Sequence, residues 1–212
     1  MRYRTVFALM VSAAGIANTA QAVAIITNAS FENPATSSSS TFLSPINDWS
    51  TFGSTNFAGV IYDAPHTIYT NTDGNQFATL VNNTGIFQDI GSSGAGTYTF
   101  SVGIAAEPGH AGNSTDLLEI KLENSAGGVL NTTIVLPASL SGTVFTEFSV
   151  SALVNPAIAG IRVTIFSGPT GTGTEYAVDN ASITFSPIPE PTAYLLFGLG
   201  SIGVLRRRRQ TS

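Results

Sequence analysis

The chain has 212 residues, a formal net charge of −5, two histidines and no cysteine. Six of its eight basic residues lie at the ends (Arg2, Arg4 and Arg206 to Arg209), leaving Lys121 and Arg162 against all thirteen acids between them. So acidic a body repels phosphate backbones and argues against a nucleic-acid partner; the lack of cysteine excludes disulfides and thiolate metal sites.

Residues 1–22 begin Met1-Arg2-Tyr3-Arg4, continue through the apolar run Thr5 to Ile16 and end in Ala20-Gln21-Ala22. A basic start, a short apolar core and a small-x-small site make an export signal, which predicts cutting by signal peptidase after Ala22. The apolar run is too short to span a bilayer comfortably. The expected mature chain starts at Val23, on the far side of the inner membrane.

Between Val23 and Ser186 there is no long helical period. Short runs of β-branched and aromatic residues are separated by Gly, Asn, Ser and Pro, as strands are by turns. The predicted strands are Ala24–Thr27, Trp49–Phe52, Ala58–Tyr62, Gln76–Val81, Gly85–Ile90, Gly96–Ala105, Asp116–Glu123, Val129–Leu136, Thr143–Leu153, Ala159–Phe166 and Glu175–Phe185. In Leu118-Glu119-Ile120-Lys121-Leu122-Glu123 the apolar residues share one face and the charges the other. Thr143 to Val150 alternates less cleanly and predicts a bulge. The pattern predicts one all-β domain over 23–186, an antiparallel β-sandwich. No 20–50-residue period marks a repeat array.

The last part, 187–212, reads Pro187-Ile188-Pro189-Glu190-Pro191, a hydrophobic segment over 192–205, then Arg206-Arg207-Arg208-Arg209. The prolines favour an extended approach. The apolar segment falls short of the roughly 20 residues of an ordinary span, so it predicts a short transmembrane helix with local bilayer thinning. The arginines after it predict a cytoplasmic end, which agrees with an exported domain. Gly198, Gly200 and Gly203 match a dinucleotide fingerprint in form only, since no soluble strand–helix unit or distal acid accompanies them.

Single residues give weaker signals. Trp49, Tyr62 and Tyr69 are candidate platforms for a sugar ring, with core packing as the alternative, above all for Trp49. His66 and His110 have no metal-ligand spacing and read as exposed loop residues. Asn71-Thr72-Asp73-Gly74 reads as a turn and fails as an EF-hand. Glu119 and Glu123 read as a solvated strand face. No nucleophile elbow and no separated acid–base pair is visible, so the chain is not predicted to be an enzyme.

Two resemblances add to this reading. Pro189-Glu190-Pro191, the Gly-rich apolar stretch and Arg206 to Arg209, in that order, closely resemble the PEP-CTERM sorting signal of Gram-negative bacteria. That implies handling by an exosortase, a membrane protease-transpeptidase, in a cell that makes exopolysaccharide. The domain resembles the galactose-binding-like jelly rolls, which include many carbohydrate-binding modules. The residues that carry this are Asn28-Ala29-Ser30-Phe31-Glu32-Asn33-Pro34, Asp73-Gly74-Asn75-Gln76-Phe77, Gly85-Ile86-Phe87-Gln88-Asp89 and Val178-Asp179-Asn180-Ala181-Ser182. The likeness implies a jelly roll whose first and last strands lie near each other. It also implies a structural calcium ion on Glu32 and Asp179, helped by backbone carbonyls. In the alternative, Glu32 caps backbone amides and Asp179 starts a turn with Asn180.

The expected role is a non-catalytic exported envelope or extracellular-matrix protein, membrane-held and then processed through its tail. The competing role is a carbohydrate-binding module acting on exopolysaccharide, with a glycan hydrolase third. A sheet face lined with exposed aromatics favours sugar binding, a flat polar face favours the matrix role, and converging carboxylates in a cleft favour a hydrolase.

Overall fold

The computed structural model describes residues 25–35, 45–54, 58–63, 66–81, 83–91, 94–107, 116–155, 158–168 and 175–188. The predicted signal segment, His110, Pro189-Glu190-Pro191 and the Arg206–Arg209 cluster lie outside them. Among the described residues no helix is long and apolar enough to cross a membrane.

Among the described residues ten strands form two antiparallel sheets. They are β1 (Ser50–Gly53), β2 (Ala58–Tyr62), β3 (Gln76–Val81), β4 (Thr84–Asp89), β5 (Gly96–Ala106), β6 (Leu118–Asn124), β7 (Val129–Val135), β8 (Thr146–Val154), β9 (Ile161–Ser167) and β10 (Glu175–Pro187). The first sheet runs β1-β4-β9-β6-β7 and the second β2-β3-β10-β5-β8. Strands distant in sequence sit side by side, and the all-β sandwich is as expected.

The core lies between the sheets. Ile86, Leu118, Ile120, Leu122, Val163 and Ile165 come from one, and Leu80, Phe100, Val102, Ile104, Tyr176 and Val178 from the other, all buried. Burying each large apolar side chain contributes roughly 1.5–3 kcal/mol. Glu119, Lys121 and Glu123 stay half-exposed on the opposite face of β6, as the alternation requires.

Ten of the eleven predicted strands are present, several with shifted ends. The exception is Ala24–Thr27. Of it, the described residues 25–27 are not in a strand, and residues 27–30 form a turn in which Asn28 adopts φ 48°, with Phe31 at 55° just after it. The Asn28 side chain rewards that conformation: its Oδ1 accepts from Asn33 N at 3.0 Å and its Nδ2 donates to Asn47 O at 2.8 Å. The predicted bulge is also misplaced. β8 pairs with β5 in unbroken register from Thr146 to Val154, and the register shift against β5 falls in β10, between Asp179 and Ser182.

The expected meeting of chain ends takes an altered form. β1 and β10 belong to different sheets, but the irregular opening segment reaches both. Ala181 N donates to Ala29 O at 2.8 Å. Gln76 on β3 donates through Nε2 to Phe31 O and Pro34 O, each at 3.0 Å. On the other sheet Gln88 of β4 accepts from Thr27 N at 2.9 Å and donates to Thr27 O at 3.0 Å. Phe31 then enters the core against Trp49, ring centroids 5.3 Å apart.

Candidate functional site

The outward face of the second sheet carries most of the buried chemistry. Phe77 of β3, Ala177 of β10 and Ala105 of β5 share a second apolar cluster with Ile61, Tyr69 and Phe145, apart from the main core. Asp63 shapes the covering segment. Its carboxylate accepts from Ile68 N and Tyr69 N, both at 2.8 Å, and from Thr67 Oγ1 at 3.3 Å. Tyr69 is thereby turned inward, its ring 4.9 Å from Phe77 edge-on and 4.6 Å from Phe145. Its hydroxyl donates to Ala106 O at 3.2 Å. Asn71 ties the cover together, accepting from Phe145 N at 2.8 Å and donating to Phe145 O at 3.1 Å.

At one edge of this cluster Glu107, just after β5, meets Glu175, the first residue of β10. Glu107 N donates to Glu175 O at 2.9 Å, and the two carboxyls hydrogen-bond each other. Burial lifts the Glu107 carboxyl to about 8, and the neighbouring Glu175 adds to the rise. A hydrogen bond from the buried Thr79 hydroxyl of β3 offsets a little of it. Burial also raises Tyr69, helped by the charges of Glu107, Asp63 and Glu175. Sequence reading missed this pair: 68 positions separate its members, and only the β5–β10 register joins them.

Glu32 and Asp179 converge on the segment 73–76. Glu32 Oε1 accepts from Asn75 N at 2.8 Å and Gln76 N at 2.7 Å. Asp179 Oδ2 accepts from Asp73 N and Oδ1 from Asn180 N, both at 2.7 Å. Gly74, at φ 93°, leaves the space that Glu32 fills; a Cβ there would stand 2.6 Å from Glu32 Oε1. Burial lifts Asp179 to about 7, against the lowering effect of its two amide donors, and Asp73 and Glu32 raise it further. Glu32 thus caps backbone amides, while Asp179 sits within β10 at its register shift and is not the start of a turn. Among the described residues no three His, Cys, Asp or Glu side chains gather as a metal-binding group.

Two open faces remain. On the first sheet Phe52 stacks on Phe166 at 5.4 Å and lies 6.1 Å from Phe87. It rests over Gly85, where a Cβ would stand 2.2 Å from its ring. The two internal cations cover this group: the Arg162 guanidinium sits 4.1 Å from the Phe87 centroid and Lys121 Nζ 5.4 Å from that of Phe166. Both are neutralised, Arg162 by a two-pronged contact with Asp89 at 2.9 and 3.1 Å and Lys121 by Glu119 at 2.5 Å.

On the second sheet the far half of the outer face is a field of hydroxyls. Cross-strand rows read Ser182–Ser101–Ser149, Thr184–Thr99–Ser151 and Ser186–Thr97–Leu153. Thr99 and Ser151 share a hydrogen bond of 2.8 Å. Of the candidate platforms, Trp49 and Tyr69 are buried, leaving only Tyr62 half-exposed. His66 is exposed, at φ 63°.

No curated protein matches the chain. Among solved structures, the Stig cyclase Fisc from Fischerella sp. TAU is similar at 17% identity and TM-score 0.63, over 80% of this chain and 100% of that one. An arabinose-bound α-L-arabinofuranosidase is similar at 15% identity and TM-score 0.55, over 76% of this chain and 26% of that one. The CBM22-1 xylan-binding domain from Paenibacillus barcinonensis is similar at 12% identity and TM-score 0.50, over 80% and 99%. At these identities the likeness is one of fold. Residues 187–209 match the family model described as the PEP-CTERM protein-sorting motif. The chain is therefore a jelly-roll sandwich, similar in fold to carbohydrate-binding modules, whose last strand leads straight into a PEP-CTERM sorting signal.

Proposed function

We propose that this chain is an exported, non-catalytic envelope or matrix protein, held at the membrane by its tail and then processed there by an exosortase-type enzyme. The observation that carries the reading is the join at Pro187, which is both the last residue of β10 and the first of the sorting motif. A folded domain that ends where a sorting signal begins is cargo for the signal. The hydroxyl field fits a passive surface. The acid pair argues against a glycan hydrolase, because carboxyls that hydrogen-bond each other lie far closer than the roughly 5–9 Å of glycosidase pairs. The test is the mass of the mature protein from its producing cell. Processing predicts a chain that starts at Val23 and lacks the apolar segment and Arg206 to Arg209. Neutralising those four arginines should release the unprocessed chain from the membrane, and an intact tail on the mature wild type refutes the proposal.

Carbohydrate binding is the second reading. The fold likeness to a xylan-binding domain and the half-exposed Phe52, Phe87 and Phe166 support it. A glycan array with the mature chain, with and without calcium, decides between the two. Binding that Phe166→Ala abolishes makes this face the platform; an empty array leaves the matrix role alone. The calcium expected at Glu32 and Asp179 belongs to the same proposal. Chelator should lower the melting temperature of the wild type and leave Glu32→Ala unmoved; no response in the wild type ends the idea.

A further inference from the structure

We propose that the end of the sandwich from which the sorting tail leaves is a lipid-docking surface, seating the domain on the headgroup layer of the membrane that holds it. The surface depends on the membrane-held reading given above, and adds an orientation to it.

β4, β6, β8 and β10 finish at this end, and β5, β7 and β9 begin there. Backbone bonds tie both sheets together at that level: Ile161 N donates to Gly91 O and Ile188 N to Ala95 O, both at 3.2 Å, and Gly91 and Ala95 belong to the one short connector between β4 and β5. At the sandwich's side, Asn131 Nδ2 donates to Ser151 O at 2.6 Å and Thr133 Oγ1 to Ser149 O at 2.8 Å. These contacts run antiparallel, and one more step along them puts Val129 beside Leu153. Leu153 is 66% exposed and Val129 57%, and Leu130 and Ile188 are exposed at the same end. A single exposed apolar side chain is ordinary, but several gathered at one end mark an interaction surface.

Charge follows the same axis. The described connecting residues at this end, 90–91, 94–95, 124–128, 155, 158–160 and 188, include no ionisable side chain. The nearest charges lie further back beside the first sheet: Asp48 next to Gln88, Glu123, and Asp89 with Arg162, which neutralise each other. At the opposite end Glu107, Asp116, Glu147 and Glu175 stand at the strand ends, so the exposed Ile134, Leu136 and Val144 lie among acids. An anionic membrane surface repels that end and not the uncharged one.

The tether sets the distance. Only Pro189, Glu190 and Pro191 separate Ile188 from the apolar segment that starts at 192, and three extended residues span about 9 Å. The headgroup zone is itself about 5–8 Å deep. A tail that enters the bilayer therefore holds this end against the headgroups, where Val129 and Leu153 reach toward the acyl boundary.

The experiment reconstitutes the full-length chain into vesicles of phosphatidylethanolamine and phosphatidylglycerol. Because the chain has no cysteine, one environment-sensitive fluorophore can be attached at Ala126→Cys, in the exposed turn between β6 and β7, or at Ala138→Cys, exposed at the opposite end. The expected result is blue-shifted emission and quenching by nitroxide-bearing lipid for the label at 126, and neither for the label at 138. Adding Val129→Ser and Leu153→Ser should return the 126 label to water while the chain still floats with the vesicles; an unchanged melting temperature confirms that these two exposed positions left the fold intact. Flotation separates the two claims. A chain that floats with its 126 label in water overturns the docking surface and leaves anchorage standing, whereas a chain that does not float overturns both. Shielding of the label without nitroxide quenching puts a second copy on this face and also overturns the proposal, as does docking that survives the double serine variant.

Discussion

Glu107 and Asp179 are both carboxyls lifted by burial, to about 8 and about 7. Each holds a proton in the folded chain over a pH range where the unfolded chain has lost it. Raised carboxyls stabilise the fold below their unfolded pKa and lose that contribution as pH climbs through the folded value. In a metal-free buffer with chelator, the melting temperature should therefore fall between about pH 5 and pH 8. Glu107→Gln, which keeps the neutral shape, should flatten that fall; a profile as steep as the wild type's shows that Glu107 is not a source. Gly85 offers a second test. Its missing side chain lets Phe52 lie flat, so Gly85→Ala should cost about 1–3 kcal/mol, read as a lower melting temperature. Sequence reading named Glu32 and Asp179 because they sit in patterned motifs. It passed over Glu107 and Thr79 because nothing local to either marks burial.

The strands themselves were largely legible. Alternation in β5 and β6 and turn residues between runs are local signals, and each strand's face follows from its own period. The opening segment was not, because Ala24–Thr27 is β-prone and the side chains that hold this region, Asn28 on Asn33 and Asn47 and Gln88 on Thr27, act on partners distant from it in sequence. Pairing was likewise illegible: β10 lies between β3 and β5, partners some seventy to a hundred positions earlier in the chain. The opening segment and the 73–76 turn depend on each other through Glu32. Glu32→Ala leaves two backbone N–H groups without their charged acceptor and should cost about 2 kcal/mol. Hydrogen exchange should speed up at Asn75 and Gln76 while the β5–β10 ladder stays protected; uniform acceleration would mean that the turn is not a separate unit.

For the whole molecule, the division of labour follows from charge. The C-terminal basic residues fall in the segment that matches the PEP-CTERM sorting motif, and the acidic middle folds. That motif was readable at once, since sorting signals are marked by local composition and order. What the folded part meets outside the cell was not, because both open faces are built from residues that also serve plain solubility: short hydroxyls on one sheet, neutralised cations over phenylalanines on the other.

The join at Pro187 also has a mechanical consequence. Any tension on the C-terminal segment enters the domain along the axis of β10, an inner strand held to β5 by ten registered pairs and to β3 by four. Pulled lengthwise, such a strand is sheared, so its bonds share the strain and yield together instead of peeling one at a time. Loaded from its C-terminal end, the domain would therefore meet force in shear across β3 and β5.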